Sequence, residues 1–396
     1  MPIIATIPTA AINDAFKLRP IFEARERLNR RVNQQFSSKT NSDTTLFEQR
    51  YRVGFSYQDN QTVRGQFIYQ YSNDVAWTAK KNYSYQASDL YVGDADFKTN
   101  GDGDLIIGRQ ILKKGGERLF QESSFNQRSK SFDMVRYRNA NWDFFSGRPG
   151  LTTNPADKAI VTGGSYDSKF GETMIVDKHD QWVSHEDFFT GDQRYVTAVG
   201  RGRGKLEMEF EGAGQKGRYN GLYLSSWFVH GRVGHGMGKE WGTYIEADAF
   251  SGGKNSREMH GFDNLYGESH AFMGRMDVVG PRNLNEIEAA AAWKPSADKS
   301  FAVTFDRFWL RDPRDGFYST SLTLNPYPGG TFIDPTGQRG TDLGQEADIL
   351  GRWDLNRNVY LSFESGLFQP GKYIRSFTGN FSKSQLWGII YVNYKY

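Results

Sequence analysis

Apolar and polar residues alternate along most of this chain with a period of two. In FEQRYRVGFSY, Phe47, Tyr51, Val53, Phe55 and Tyr57 fall on one face, and Glu48, Arg50, Arg52 and Ser56 on the other. Leu206, Met208 and Phe210 oppose Glu207, Glu209 and Glu211, and Ile287 and Trp293 oppose Glu286 and Glu288. Ile349, Trp353 and Leu355 oppose Glu346, Asp348, Arg352 and Asp354. The last stretch keeps the rhythm, with Leu386, Gly388, Ile390, Val392 and Tyr394 against Trp387, Ile389, Tyr391, Asn393 and Lys395. Residues i and i+2 share a face in a β-strand, so the pattern predicts strands with one apolar and one charged side.

The connectors between these strands alternate in length. Short ones are read at 59–60, 98–103, 139–141, 201–203, 294–298 and 356–358. Long ones are read at 31–43, 73–85, 113–130, 252–283, 311–342 and 369–384. Outer-membrane barrels have this asymmetry, with short periplasmic turns and long extracellular loops. The count gives about 18 strands, and the 159–192 stretch leaves 16 as the alternative. The expected fold is all-β: a transmembrane antiparallel β-barrel forming one domain over 16–396, with 1–15 as a leader remnant or periplasmic extension. That first stretch, MPIIATIPTAAINDA, lacks the charged and apolar regions of a complete secretion signal.

Composition supports a barrel over a soluble domain. The chain is 38% hydrophobic with a mean hydropathy of −0.65, yet 15% aromatic. A soluble domain this polar has too little to fill a core, and disordered chains lack aromatics. A barrel with a wet interior needs apolar side chains only on the lipid side of each strand, and aromatics at both interfaces. No window approaches the ~18 apolar residues of a transmembrane helix. The absence of Cys suits an oxidising envelope compartment. A net charge of +3 gives no concentrated basic face for nucleic acid.

Signs of catalysis are scarce, and an enzyme is not expected. There is no Gly-x-Ser-x-Gly elbow, no His-Glu-x-x-His and no phosphate-binding loop. The six His, among them His179, His185, His230 and His235, are scattered and read as loop or lumen residues. TNGDGDL (99–105) lacks EF-hand spacing and reads as a polar hairpin turn. SGGKN (251–255) and GRGRGK (200–205) also read as turns. No metal and no cofactor is expected. The 311–342 loop is read either as a lid at the pore mouth or as lying on the outer surface.

The stretch 105–138 holds a Gly-Arg-Gln strand end (Gly108, Arg109, Gln110), then Arg118 and Leu119 in a loop. A strand with Phe132, Asp133, Val135 and Arg136 follows. HAFMGRMDVVGPRNL (270–284) and GQEADILGRWDLNRNVYLSFESGLFQPGKYI (344–374) follow in order. In these motifs the chain resembles the bacterial alginate-export porin family from about residue 17 to its end. The resemblance implies an outer-membrane barrel with an electropositive lumen, and transport more than any one cargo.

A uronic-acid polymer carries one carboxylate per sugar, and Arg pairs carboxylates bidentately without deprotonating. Interleaved acids weaken each site so that the polymer can leave. The expected lumen set is Arg25, Arg50, Arg52, Arg109, Arg118, Arg128, Arg136 and Arg352, with Glu23, Glu48, Asp133 and Asp348 as counter-charges. Arg109, Arg118, Arg128 and Arg136 are expected to line one constriction, with Asp133 beside Arg136. Arg109 shares a face with Leu105 and Ile107, so it meets water only near a strand end or at a bulge. The bland alternative is that these Arg and Glu brace the wall. The expected function is a passive, monomeric outer-membrane channel for an anionic saccharide, alginate-like, with export favoured and periplasmic secretion partners. The alternatives are a general or uptake porin for small anions, a barrel enzyme acting on lipid or polysaccharide, and a soluble β-rich carbohydrate-binding protein.

Overall fold

The computed structural model describes residues 16–59, 62–78, 82–99, 101–150, 159–180, 191–203, 206–219 and 222–396. The expected leader over 1–15 and His185 lie outside the described residues. The dyad segments form long strands: β1 Phe16–Val32, β2 Thr44–Asp59, β3 Val63–Thr78, β4 Asn82–Lys98, β5 Asp104–Gln110 and β6 Phe132–Arg138. They continue as β7 Trp142–Pro149, β8 Ile160–Ser168, β9 Gly171–Asp180, β10 Gly191–Arg203, β11 Glu207–Tyr219 and β12 Leu222–Met237. The last six are β13 Trp241–Phe250, β14 Leu284–Ser296, β15 Lys299–Leu310, β16 Asp342–Asp354, β17 Val359–Pro370 and β18 Gln385–Lys395. Each pairs antiparallel with its neighbours in sequence. β1 also pairs with β18, from Glu23↔Lys395 to Val32↔Leu386, so among the described residues these eighteen strands close into a barrel with no free edge.

Register puts the apolar set outside. Val53 is 57% exposed and Ile245 62%, and Phe55, Met208, Ile390 and Val392 also face outward. Glu48, Arg50, Arg52 and Asn393 are buried inside. Trp241, Trp293 and Phe301 stack in a row at the short-turn end, with centroids 5.6 and 5.7 Å apart. Trp142 and Tyr166 extend the belt at 4.7 Å. Such girdles mark a membrane interface, and the short turns mark it as the periplasmic one.

Two expected connectors are strand instead. β3 and β4 run to Thr78 and from Asn82, so 73–85 is not a long loop. Its polar start misreads as loop because Asp74, in register with the inward Glu48, belongs to the lumen face, where polarity is the rule. β10 continues through Arg203, with Gly200 and Gly202 in register with Phe210 and Met208. Thr99 N–H donates to the Gly103 carbonyl at 2.8 Å just before β5 begins at Asp104, as a hairpin turn requires.

The loops 111–131 and 251–283 do not lie on the outer surface. Their apolar residues, including Leu119, Phe120, Tyr266, Met273 and Met276, are buried against inward-facing Phe145, Phe228 and Phe308. The 311–341 loop packs over them from outside. Gly280 N–H donates to Tyr318 O at 2.9 Å, and Phe332 meets Phe377 of the helix α1 (Lys372–Thr378) at 5.4 Å.

Candidate functional site

Strand pairing sets Glu23 beside Arg52, Arg25 beside Arg50, and Arg27 beside Glu48 on the inner face of β1 and β2. Loop 111–131 lies on this basic wall. A loop brought inside a barrel carries backbone carbonyls that need donors, and each guanidinium offers five. Arg25 Nη1 donates to Ser124 O at 2.8 Å and its Nη2 to Asn126 O at 2.8 Å. Arg27 Nη1 donates to Phe125 O at 2.6 Å, and Arg50 Nη1 to Asn126 O at 3.0 Å. Arg52 Nη2 donates to Ser129 Oγ at 2.6 Å. Glu48 holds Arg27 bidentately at 2.7 Å, and Glu23 pairs with both Arg50 and Arg52. Glu48, Arg50 and Arg52 therefore clamp the loop; they do not present free charge to a passing solute, as the sequence reading expected.

The same loop crosses the lumen and ends in acid. Arg118 is 3% exposed and sits among Glu246 at 2.6 Å, Glu211 and Asp248 at 3.5 Å, and Glu209 at 3.7 Å. It is a buried pin. Loop 251–283 adds a second bridge. His270 sits between Asp277 at 3.1 Å and Glu364 at 3.2 Å. Burial opposes its charge, yet the Asp277 and Glu364 carboxylates outweigh burial and raise its pKa to about 9. Lys130 Nζ joins the loops by donating to Tyr266 O at 2.9 Å and Gly267 O at 2.6 Å. Burial lowers its pKa to about 8.

The four Arg expected at one constriction are dispersed. Arg109 has the outward parity of Ile107, 44% exposed, and Asp133 that of Val135, 50% exposed. They pair bidentately at 2.7 and 2.9 Å on the outer wall, near the extracellular end of the short strands β5 and β6. The preceding Gly108, at φ +118°, lies so close to Gly93 that a Cβ would stand 2.3 Å from its carbonyl oxygen. Arg128 stacks on Tyr85 at 3.9 Å toward the outer mouth. Arg136 alone points into the lower lumen, and its partner is Asp143, at 2.8 Å, not Asp133. Arg352 faces inward near the periplasmic end, paired with Asp354 at 2.7 Å and stacked over Tyr360 at 3.7 Å. Asp348 is buried in the acidic wall beside Thr304, at 3.2 Å, and Arg275 of loop 251–283 acts on it without forming an ion pair.

Below loop 111–131 the inner wall of β1–β6 forms a pocket of about 380 Å³. Its margin carries Lys17, Arg19, Arg64, Arg136 and Arg138 against Asp94 and Asp96. Arg64 is tied to Asp96 at 2.7 Å and Asp104 at 2.9 Å, and Arg138 reaches both at 3.4 Å. Lys17 and Arg19 are exposed, and among the described residues neither has a carboxylate within ion-pair distance. The sequence reading missed this group. Its signal was the odd-numbered run Lys17, Arg19, Glu23, Arg25, Arg27 in KLRPIFEARER, which puts these five charges of β1 on one face, with Glu26 and Arg30 on the other.

The family profile described as alginate export matches residues 16–386. Among solved structures, Pseudomonas aeruginosa OccK5 (OpdH) is 12% identical, covering 96% of this chain and 97% of its own, with a TM-score of 0.63. Pseudomonas aeruginosa OpdK with vanillate is 13% identical, covering 97% and 98%, with a TM-score of 0.63. OccK2 (OpdF) of the same organism, in complex with glucuronate, is 10% identical, covering 96% and 98%, with a TM-score of 0.60. Among curated protein sequences none matches the chain significantly.

Proposed function

The chain belongs to the alginate export family and is an outer-membrane β-barrel channel, and on that premise we propose that it passes an anionic saccharide, alginate-like in charge. The observation that carries the reading is the basic pocket at the periplasmic end of the lumen. Lys17 and Arg19 hold free cationic charge there, beside Arg64, Arg136 and Arg138. A cleft of one sign with low-dielectric walls raises the local concentration of the opposite charge. A uronate chain entering from the periplasm would exchange its counter-ions for these groups. Asp96, Asp104 and Asp143 keep Arg64, Arg136 and Arg138 partly satisfied, so these sites do not hold the polymer long enough to stop passage.

The position of the pocket favours export, because it sits where a periplasmic polymer arrives. One similar fold was solved with glucuronate, a uronate monomer, which agrees with carboxylate recognition on this architecture. The channel acts as a monomer in this reading, since the ring is closed within one chain. The test is equilibrium binding of a uronate oligomer to the detergent-solubilised barrel. Lys17→Gln/Arg19→Gln should weaken binding about tenfold and flatten its salt dependence, since two of the least paired cations are gone. Equal binding by the double variant, or equal binding of a neutral glucan by the native barrel, would leave the channel but remove the anionic cargo.

A further inference from the structure

The acidic wall opposite the basic one meets the same electrostatic problem at two places. Register lays Asp248 beside Glu286, Glu246 beside Glu288, Glu288 beside Asp306, and Asp306 beside Glu346. All of these side chains face the interior and are buried. On β11–β13 the solution is Arg118, inserted from loop 111–131 against Glu246 and Asp248, with His230 at 3.2 Å from Asp248. On β14–β16 no such cation is present. Among the described residues no Lys, Arg or His lies within ion-pair distance of Glu286, Glu288, Asp306, Glu346 or Asp348. Arg275 acts on Asp348 and Tyr244 electrostatically from loop 251–283 without forming a pair.

Some of these acids have neutral donors. Glu288 Oε1 accepts from the Tyr244 hydroxyl at 2.5 Å, Glu346 Oε1 from Met276 N–H at 2.8 Å, and Asp348 Oδ2 from Thr304 at 3.2 Å. Glu286 and Asp306 have none. Glu286 is 2% exposed and Asp306 0%, and all four of their carboxylate oxygens lack a hydrogen-bond partner. A buried acceptor without a donor is a large penalty, and two adjoining carboxylates compound it.

We propose that Glu286, Glu288 and Asp306 form a binding site for a hard divalent cation, Ca²⁺, in the lumen wall. One oxygen of each lies within 4.8 Å of the others. That spacing accommodates Ca–O bonds of about 2.3–2.6 Å. It is wide for Mg²⁺, which demands about 2.0–2.1 Å and near-ideal octahedral geometry. An all-oxygen donor set with no imidazole or thiolate disfavours zinc and copper. The neighbouring group of His230, Glu246 and Asp248 is a poorer site, because Arg118 already fills it. The ion would do for β14–β16 what Arg118 does for β11–β13. It would neutralise the wall that Met276 N–H, and through it loop 251–283, docks against at Glu346.

The test uses the full-length barrel in detergent, free of lipopolysaccharide and stripped with EGTA, titrated with CaCl₂ by calorimetry and followed by thermal unfolding. The expected result is about one Ca²⁺ per barrel and a rise in melting temperature, with Mg²⁺ binding at least tenfold weaker. Glu286→Gln/Asp306→Asn should lose at least tenfold in Ca²⁺ affinity and lose the calcium-dependent rise. Its ion-free form should melt no lower than the ion-free native barrel, since repulsion is removed. Should that variant fail to fold by circular dichroism, Glu288→Gln makes the same comparison with one charge removed. No Ca²⁺ uptake by the native barrel, or uptake unchanged in the variants, overturns the site.

Discussion

Arg118→Ala tests the pin that holds loop 111–131 across the lumen. The wild-type guanidinium is 3% exposed, with carboxylates at 2.6, 3.5, 3.5 and 3.7 Å. Without it, Glu211 has no cation within reach among the described residues, and Glu246 and Asp248 keep only His230. Breaking a buried pair by removing one partner destabilises by roughly 3–5 kcal/mol. The barrel ring is untouched, so the loss falls on the docked loop. At about 1.4 kcal/mol per tenfold, release of that end should become on the order of 10²–10³ times more frequent. Proton uptake by the stranded acids would reduce the figure. Single-channel recording in a planar bilayer should show a larger and noisier conductance, and a shift towards cations. Arg118→Lys should recover part of the native trace, because one charge returns without the fork. Arg118→Met with Glu246→Gln should recover more, because the pair is removed together. A native conductance in Arg118→Ala, with an unchanged melting temperature, would refute the pin.

Three further outcomes follow from the same geometry. His270, raised to about 9, contributes stability that is complete below about pH 6.5 and is lost as pH rises through 9. The contribution at neutral pH is on the order of 2–3 kcal/mol. Loop 251–283 should therefore loosen above pH 9, read as a rise in open-channel noise that His270→Gln abolishes. Lys130, lowered to about 8, runs the other way: its penalty is lifted as pH rises through 8, so the His270 variant is needed to isolate the first effect. Ile245→Arg on the lipid face should destabilise by roughly 2–4 kcal/mol in denaturant titration, and a loss under 1 kcal/mol would contradict the membrane-facing assignment. Arg109→Ala should leave block by a uronate oligomer unchanged, because its pair with Asp133 lies on the outer wall, whereas Arg136→Ala should shorten each block.

Strand faces were legible because a period of two admits one reading: Val53 and Phe55 out, Arg50 and Arg52 in. The inward fold of the loops was not. Nothing local in SSFNQ tells that the carbonyls of Ser124–Asn126 meet Arg25, about a hundred residues earlier, and that contact converts a pore cation into a clamp. The constriction of Arg109, Arg118, Arg128 and Arg136 failed for the same reason, since three of the four owe their places to long-range partners. The Asp133–Arg136 pair was excludable from sequence, because residues three apart in a strand face opposite sides. Lys17 and Arg19 were legible too, since KLRP falls inside the expected barrel segment and β1 begins at Phe16.

The central claim is that the lumen selects a carboxylate-bearing saccharide. Its most direct measurement is small-ion current through a single barrel in a planar bilayer, with a uronate oligomer or a neutral glucan of equal length on the periplasmic side. The expected result is brief, salt-sensitive blocks by the uronate, none by the glucan, and shorter blocks in Lys17→Gln/Arg19→Gln. Equal block by the two sugars, or uronate block indifferent to salt and to that variant, would contradict it.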